Sequence, residues 1–286
     1  RLVEVLMDSI TSKATYDPAA YLNRYISFMT TAGSHADTYA DTAHIQFFYQ
    51  YSLGQSPEDS AGVENHSTGN IGSTISLPVL VAAGLRYGYS TVEDYVHRHV
   101  SLTHQSQRLL TYVRIMAQLF FRLLNGQSIR DAVRMAGADL GIDFDQLVTD
   151  QQRQESSMRR SGRRGLPRAF RDLPVVTKAF GLACYIHDSL PTTLFLAFKY
   201  HRAEDAVEGL LANANIGGNT ADRGAVLGAI YGAVGVHTSW LTSVLACVII
   251  VLAFPSTICL CLFFCCLLRL SSIWTGTWRC VNQYIH

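Results

Sequence analysis

Apolar residues recur at helical spacing from the opening residues, where Arg1-Leu2-Val3-Glu4-Val5-Leu6-Met7 reads as the middle of an amphipathic helix. Tyr16-Asp17-Pro18 ends that helix, and Pro18 suits the first turn of the next, whose apolar positions are Leu22, Tyr25, Ile26 and Met29. Gly33 stops it. The clearest pattern follows His104: Leu109, Val113, Met116, Phe120 and Leu123 share one face, with Gln107, Arg108, Thr111, Arg114, Gln118 and Arg122 opposite. Asn125-Gly126 closes this helix. Weaker helical patterns cover 36–53, 72–86, 91–101, 128–139, 172–186, 189–200 and 203–213, and no stretch alternates cleanly enough to demand a strand. The expected class is all-α.

Two segments depart from this pattern. Between Gln151 and Arg171 lie seven arginines among Ser, Gly and Pro, a composition that cannot bury and predicts a solvated loop, with a phosphate-binding arm as the alternative. Val244–Leu268 carries no charge; as one helix it would reach about 37 Å, enough to cross a bilayer core. Pro255 would instead break it into two pieces too short to span. The division expected is therefore a helical domain over 1–236 and a hydrophobic tail over 237–286, with 244–268 a candidate transmembrane segment. Arg269 and Arg279 favour a cytoplasmic C-terminal side.

The 286 residues are 49% hydrophobic and 16% charged, against roughly 25% charged for an ordinary soluble domain, which excludes disorder. Twenty-three basic and 22 acidic residues nearly cancel, leaving no basic stripe for nucleic acid. Six of the seven cysteines crowd from Cys247 onward, without zinc spacing, and read as small hydrophobes; Cys184 stands alone.

The chemistry concentrates in Asn213-Ala214-Asn215-Ile216-Gly217-Gly218-Asn219-Thr220-Ala221-Asp222. Two glycines allow a tight turn and close approach to a ligand, and Asn219, Thr220 and Asp222 place oxygens in a helix's first turn, where N–H groups are unpaired. The segment is either a hard-cation or phosphate site, or an Asn-capped core helix after a Gly-Gly turn. Gly224, Gly228 and Gly232 then form a small-residue stripe suited to close helix packing. Asp37, Asp41 and His44 fall on one helical face and could line a cleft; Glu64 and His66 sit in a polar loop beside Gly69 and Gly72; His104 caps and orients its helix. Serine-hydrolase, zinc-protease and nucleotide-fold signatures are absent.

Asn-Ile-Gly-Gly-Asn-Thr before the Gly/Ala-striped helix, with Leu102-Thr103-His104 upstream, resembles the ADP-ribosylglycohydrolase (crystallin J1) family. Tyr16-Asp17-Pro18, His35 to Asp41, Glu64-Asn65-His66 through Ile71-Gly72 to Leu77-Pro78, Cys184-Tyr185 and Asn213-Ala214-Asn215 resemble one branch of it. The resemblance covers about 1–236 and implies an all-α fold with a central cleft, two divalent cations, usually magnesium, and hydrolysis of the bond joining ADP-ribose to an acceptor. It also implies metal ligands at Asn219, Thr220 and Asp222, and substrate contacts at Asp37, Tyr39, Asp41, Glu64, His66, Gly72, Gly217 and Gly218.

The chain departs from the family pattern in two places. The family's acidic N-terminal motif is absent, the opening helix corresponding to residues just after it, so the chain reads as N-terminally truncated. Where the family carries two aspartates this chain has Asn219 and Ala221, and Asp222 replaces a final threonine. Two readings follow. One is a metal-dependent hydrolase of an N- or O-glycosidic bond of ADP-ribose, free or on protein; the other is a catalytically degenerate ADP-ribose-binding or crystallin-like structural protein. The expected location is a cytoplasmic domain with possible membrane contact through 244–268.

Overall fold

The computed structural model describes residues 1–235 except 37–38, 63, 65–67, 162–165 and 168–169. The candidate span 244–268 and its cysteines lie outside the described residues. Among these, twelve α-helices and several 3-10 turns form the fold; two isolated bridges, Gly62 with His104 and Asn70 with Tyr185, are its extended pairings. No helix among the described residues is long and apolar enough to cross a membrane.

Helix α1 (Leu2–Lys13) lies against α2 (Pro18–Thr30), and α3 (Thr42–Ser52) follows. Helices α4 (Leu77–Gly84), α5 (Tyr89–Ser101) and α6 (Gln107–Leu124) pack on one another. Then come α7 (Ile129–Asp139), α8 (Phe144–Arg160), α9 (Leu173–Ala179), α10 (Ile186–Lys199), α11 (Ala206–Ile216) and α12 (Thr220–Ala233). Helix α6 touches α4, α5, α7, α10 and α12, so the face read from its sequence is the centre of the core. Leu109, Val113, Met116, Phe120 and Leu123 are all buried there. The caps follow the sequence: Asp17 accepts from Ala19 and Ala20 N–H ahead of Pro18, Ser128 from Asp131, and Asp143 from Gln146.

Three expectations are corrected. Residues 151–160 are helical, forming the second half of α8, largely exposed beyond the buried Gln151, where Gln, Glu and Arg are strong helix formers even without an apolar face. The helix expected over 172–186 ends at Ala179, because Gly181 takes a φ of 132° and the chain through Tyr185 runs extended along residues 69–71. Among the described residues the glycine stripe of α12 is not a close helix contact: the buried face of the helix is Arg223, Val226, Leu227, Ile230 and Tyr231. Gly228 and Gly232 have no described atom within 4 Å of a Cβ position, and only Gly224 meets a neighbour, Asn213.

Candidate active-site cleft

Three segments distant in sequence are laced into one wall. Ile71 N–H donates to Cys184 O (3.0 Å) and Ile186 N–H to Gly69 O (2.8 Å), joining the turn before α4 to the segment before α10. Asn219 N–H donates to Leu182 O (3.3 Å), joining that segment to the loop before α12. Gly218, at φ 67°, passes so close to Leu182 that a Cβ would lie 2.2 Å from its carbonyl oxygen. This glycine therefore serves a backbone-to-backbone contact rather than the approach to a ligand that its sequence suggested.

Arg223 locks the loop from behind. It is fully buried in the first turns of α12, with Nε donating to Asn213 Oδ1 (3.0 Å) and its terminal nitrogens to Gly217 O and Leu182 O. Asn213 in turn donates from Nδ2 to Thr220 O (2.8 Å). Burial lowers the Arg223 pKa, and neutral oxygens receive its hydrogen bonds. Arg223 is a functional residue that no motif singles out, although an arginine amid small and apolar residues after a Gly-Gly turn is a visible signal.

In front of this wall opens a cavity of about 700 Å³, lined among others by Tyr39, Asp41, His44, Asn70, Gly72, His99, His104, Cys184, Asn219 and Asp222. Asp222 Oδ2 accepts from Asn219 Nδ2 (2.9 Å) and lies against Gly72, whose Cβ position is 3.3 Å from that oxygen. Asn70, on the same turn, reaches toward Asp41 Oδ2 from Nδ2 (3.5 Å). The two carboxylates lining the cavity among the described residues, Asp41 and Asp222, thus flank one turn.

Asp41 is the N-cap of α3, its Oδ1 accepting from His44 N–H (3.0 Å). Asp41 precedes the helix, so the helical face expected for Asp41 and His44 is replaced by a cap and its first turn; Asp37 lies outside the described residues. Burial pushes the Asp41 carboxyl up, but His104 and His44 beside it outweigh this and hold it well below the usual range. His44 is lowered by burial against the pull of Asp41, and His99 is pushed down to about 3, chiefly by burial and then by His104. The imidazoles are packed among tyrosines: Tyr25 OH pairs with His44 Nδ1 (2.7 Å) and Tyr16 OH with His99 Nδ1 (3.2 Å).

The other expected contacts scatter. Tyr39 stands at the rim, 83% exposed, and Gly72 lines the cavity. Glu64 does not line it: its Oε1 accepts from Ser106 Oγ (2.7 Å), which ties the polar loop to the N-cap of α6. That cap is Ser106, not His104. His66 lies outside the described residues. Gly217, Gly218 and Thr220 do not line the cavity, Thr220 opening α12. Sequence reasoning missed Asn70 and His99 in the cavity: Asn70 lies inside the polar loop from which Glu64 and His66 stood out, and His99 carries no local signal.

This donor set does not fit a pair of hard cations. Such ions depend on carboxylate charge, and among the described residues Asp41 Oδ1 is taken up in capping α3 while Asp222 is bonded to Asn219. No group of three His, Cys, Asp or Glu side chains among the described residues is arranged to hold a metal.

No curated protein gives a significant match to the chain. The family model for ADP-ribosylglycohydrolase matches residues 2–251, which includes every segment of the cleft wall, Asn219 and Asp222 among them. The match spans most of the sequence and agrees with the all-helical fold, and the chain belongs to the ADP-ribosylglycohydrolase family.

Proposed function

We propose that the cleft binds ADP-ribose and that the chain is a hydrolase of an N- or O-glycosidic bond linking ADP-ribose to an acceptor, free or on a protein. The observation that carries this reading is the placement of Asp41 and Asp222 on either side of the Asn70–Gly72 turn, inside a cavity large enough for a nucleotide sugar. Small-molecule sites commonly measure about 300–1,000 Å³.

Within this reading each residue has a separable task. Asp41, with His44 and Asn70 on its oxygens, accepts hydrogen bonds from sugar hydroxyls. Asp222 is the carboxylate placed to take a proton from a water attacking the anomeric carbon, with Asn219 orienting it. Tyr39 offers an exposed ring at the rim for the base or the acceptor. The family is generally metal-dependent, and its usual magnesium pair is not matched by this donor set; no step here depends on it. Asn219, Thr220 and Asp222 remain the residues to test for a single cation.

The hydrogen bond from Asn219 to Asp222 favours a second reading, binding without turnover, because it occupies an oxygen of the only carboxylate in the loop. The deciding experiment follows ADP-ribose release from arginine- and serine-ADP-ribosylated proteins, with magnesium and with chelator, alongside calorimetric binding of ADP-ribose. Release that Asp222→Ala abolishes supports the hydrolase; binding without release supports the second reading; neither binding nor release overturns both.

A further inference from the structure

Asp41 Oδ2 faces the cleft with its bonding incomplete. Asn70 Nδ2 stands 3.5 Å away and His104 Nε2 3.8 Å away, whereas a charge-assisted N–H···O⁻ bond closes to about 2.7–2.9 Å. His104 Nε2 has no hydrogen-bond partner among the described residues, and its side chain is only 5% exposed. Its other nitrogen, Nδ1, pairs with the Thr103 hydroxyl at 2.8 Å. Either partner can donate in that pair, and the Asp41 carboxylate in front of Nε2 selects the tautomer with the ring proton on Nε2, directed at Asp41, and the Thr103 hydroxyl donating to Nδ1. Buried polar groups are rarely left unpaired, so this donor and the open acceptor beside it point to a missing ligand atom.

We propose that Asp41 and His104 form a hydroxyl-recognition pair: Asp41 Oδ2 accepts from a hydroxyl of the ribose whose anomeric carbon reacts, and His104 is the positioning residue that keeps the carboxylate turned toward it. This deepens, and rests on, the ADP-ribose reading of the cleft. The choice of ribose follows from place. Asn70 and Gly72 share one turn, Asp222 lies against Gly72, and Asn70 reaches Asp41. The pair therefore stands at the end of the cleft where Asp222 would activate water. A hydroxyl bound to Oδ2 can also accept from the Asn70 amide, satisfying both of its roles. Packing alone does not require an imidazole at 104: His44 and His104 meet edge to face at 5.8 Å, which a phenyl ring would reproduce.

The test is calorimetric titration of the full chain with ADP-ribose and with ADP, which lacks the second ribose. Wild type should prefer ADP-ribose. His104→Phe should weaken ADP-ribose binding by at least about tenfold while leaving ADP binding unchanged. His104→Gln, which keeps an N–H donor, should restore most of the loss. Asp41→Asn should match His104→Phe, and the double variant should lose no more than either single one, because both act on one contact. Equal loss of both ligands in His104→Phe, or an undiminished preference for ADP-ribose, overturns the pair while leaving the cleft reading intact. Wild type binding neither ligand overturns the cleft reading, and the pair with it.

Discussion

His99 makes the fold sensitive to mild acid. It is buried on α5 between Tyr16 and Tyr21, whose rings lie 5.6 and 4.6 Å from its own, and its pKa is pushed down to about 3 by burial and by His104. The unfolded chain takes up this proton near the ordinary value of 6.5, and the folded one only near 3. Between those values the unfolded state binds more protons, so stability falls as pH falls, at about 1.4 kcal/mol per pH unit. Over the full window the loss accumulates to about 5 kcal/mol, comparable with the whole stability of a typical domain. His44, also lowered, adds to the slope with the same sign, and Asp41 adds below its ordinary value of 3.8. The assay is urea unfolding at pH 7, 6, 5 and 4 for wild type and His99→Phe. The variant should start about 1–3 kcal/mol less stable at pH 7, because the Tyr16 hydroxyl loses its partner, yet lose stability more slowly on acidification by about 1.4 kcal/mol per pH unit. Equal slopes in the two proteins would refute the reasoning.

The loop and the buried polar cluster give further outcomes. Gly218→Ala drives a Cβ into Leu182 O and should cost several kcal/mol by thermal unfolding; Gly217→Ala, with open space around it, should cost only about 1–3 kcal/mol of backbone strain. Arg223→Lys cannot reproduce three hydrogen bonds and should cost about 2 kcal/mol, with faster amide exchange at 217–222 and unchanged exchange in α6. Asp172, buried under Lys199, Tyr200 and Gln151, anchors α8 and α9 to α10. Asp172→Ala should cost about 3–5 kcal/mol in chemical denaturation while ADP-ribose affinity stays unchanged, since none of these residues lines the cleft.

Local chemistry was the legible part of the fold. Pro18 in the first turn of α2, Asn125-Gly126 at the end of α6 and the apolar face of α6 follow rules that act over a turn or two, and tertiary packing did not override them. The second half of α8 was misread because its helix rests on propensity without burial, which periodicity cannot register. In the cleft, the Gly-Gly-Asn loop and Asp41 stood out because they concentrate polar atoms in sequence. Glu64 stood out for the same reason and proved to hold Ser106 instead. Asn70, His99 and Arg223 matter through partners more than ten residues away, or through burial, and neither property is written in a local pattern.

The same long-range partners decide which charge the loop attracts. A loop with the two aspartates of the family pattern presents two negative charges to the cleft; here Asp222 presents one, and the buried Arg223 guanidinium stands behind it. A unit charge at 4 Å interacts by about 4 kcal/mol at an effective dielectric of 20, and a divalent ion by about twice that. Removing one carboxylate therefore weakens a cation's hold by several kcal/mol and reduces the repulsion of a diphosphate by a similar amount. ADP-ribose should accordingly bind with chelator present nearly as well as with magnesium, a difference of less than about tenfold in Kd. Restoring the carboxylate in Asn219→Asp should make binding or hydrolysis more magnesium-responsive than in wild type. Binding in wild type that collapses with chelator would mean that other oxygens complete a cation site, and that charge balance at this loop does not govern the cleft.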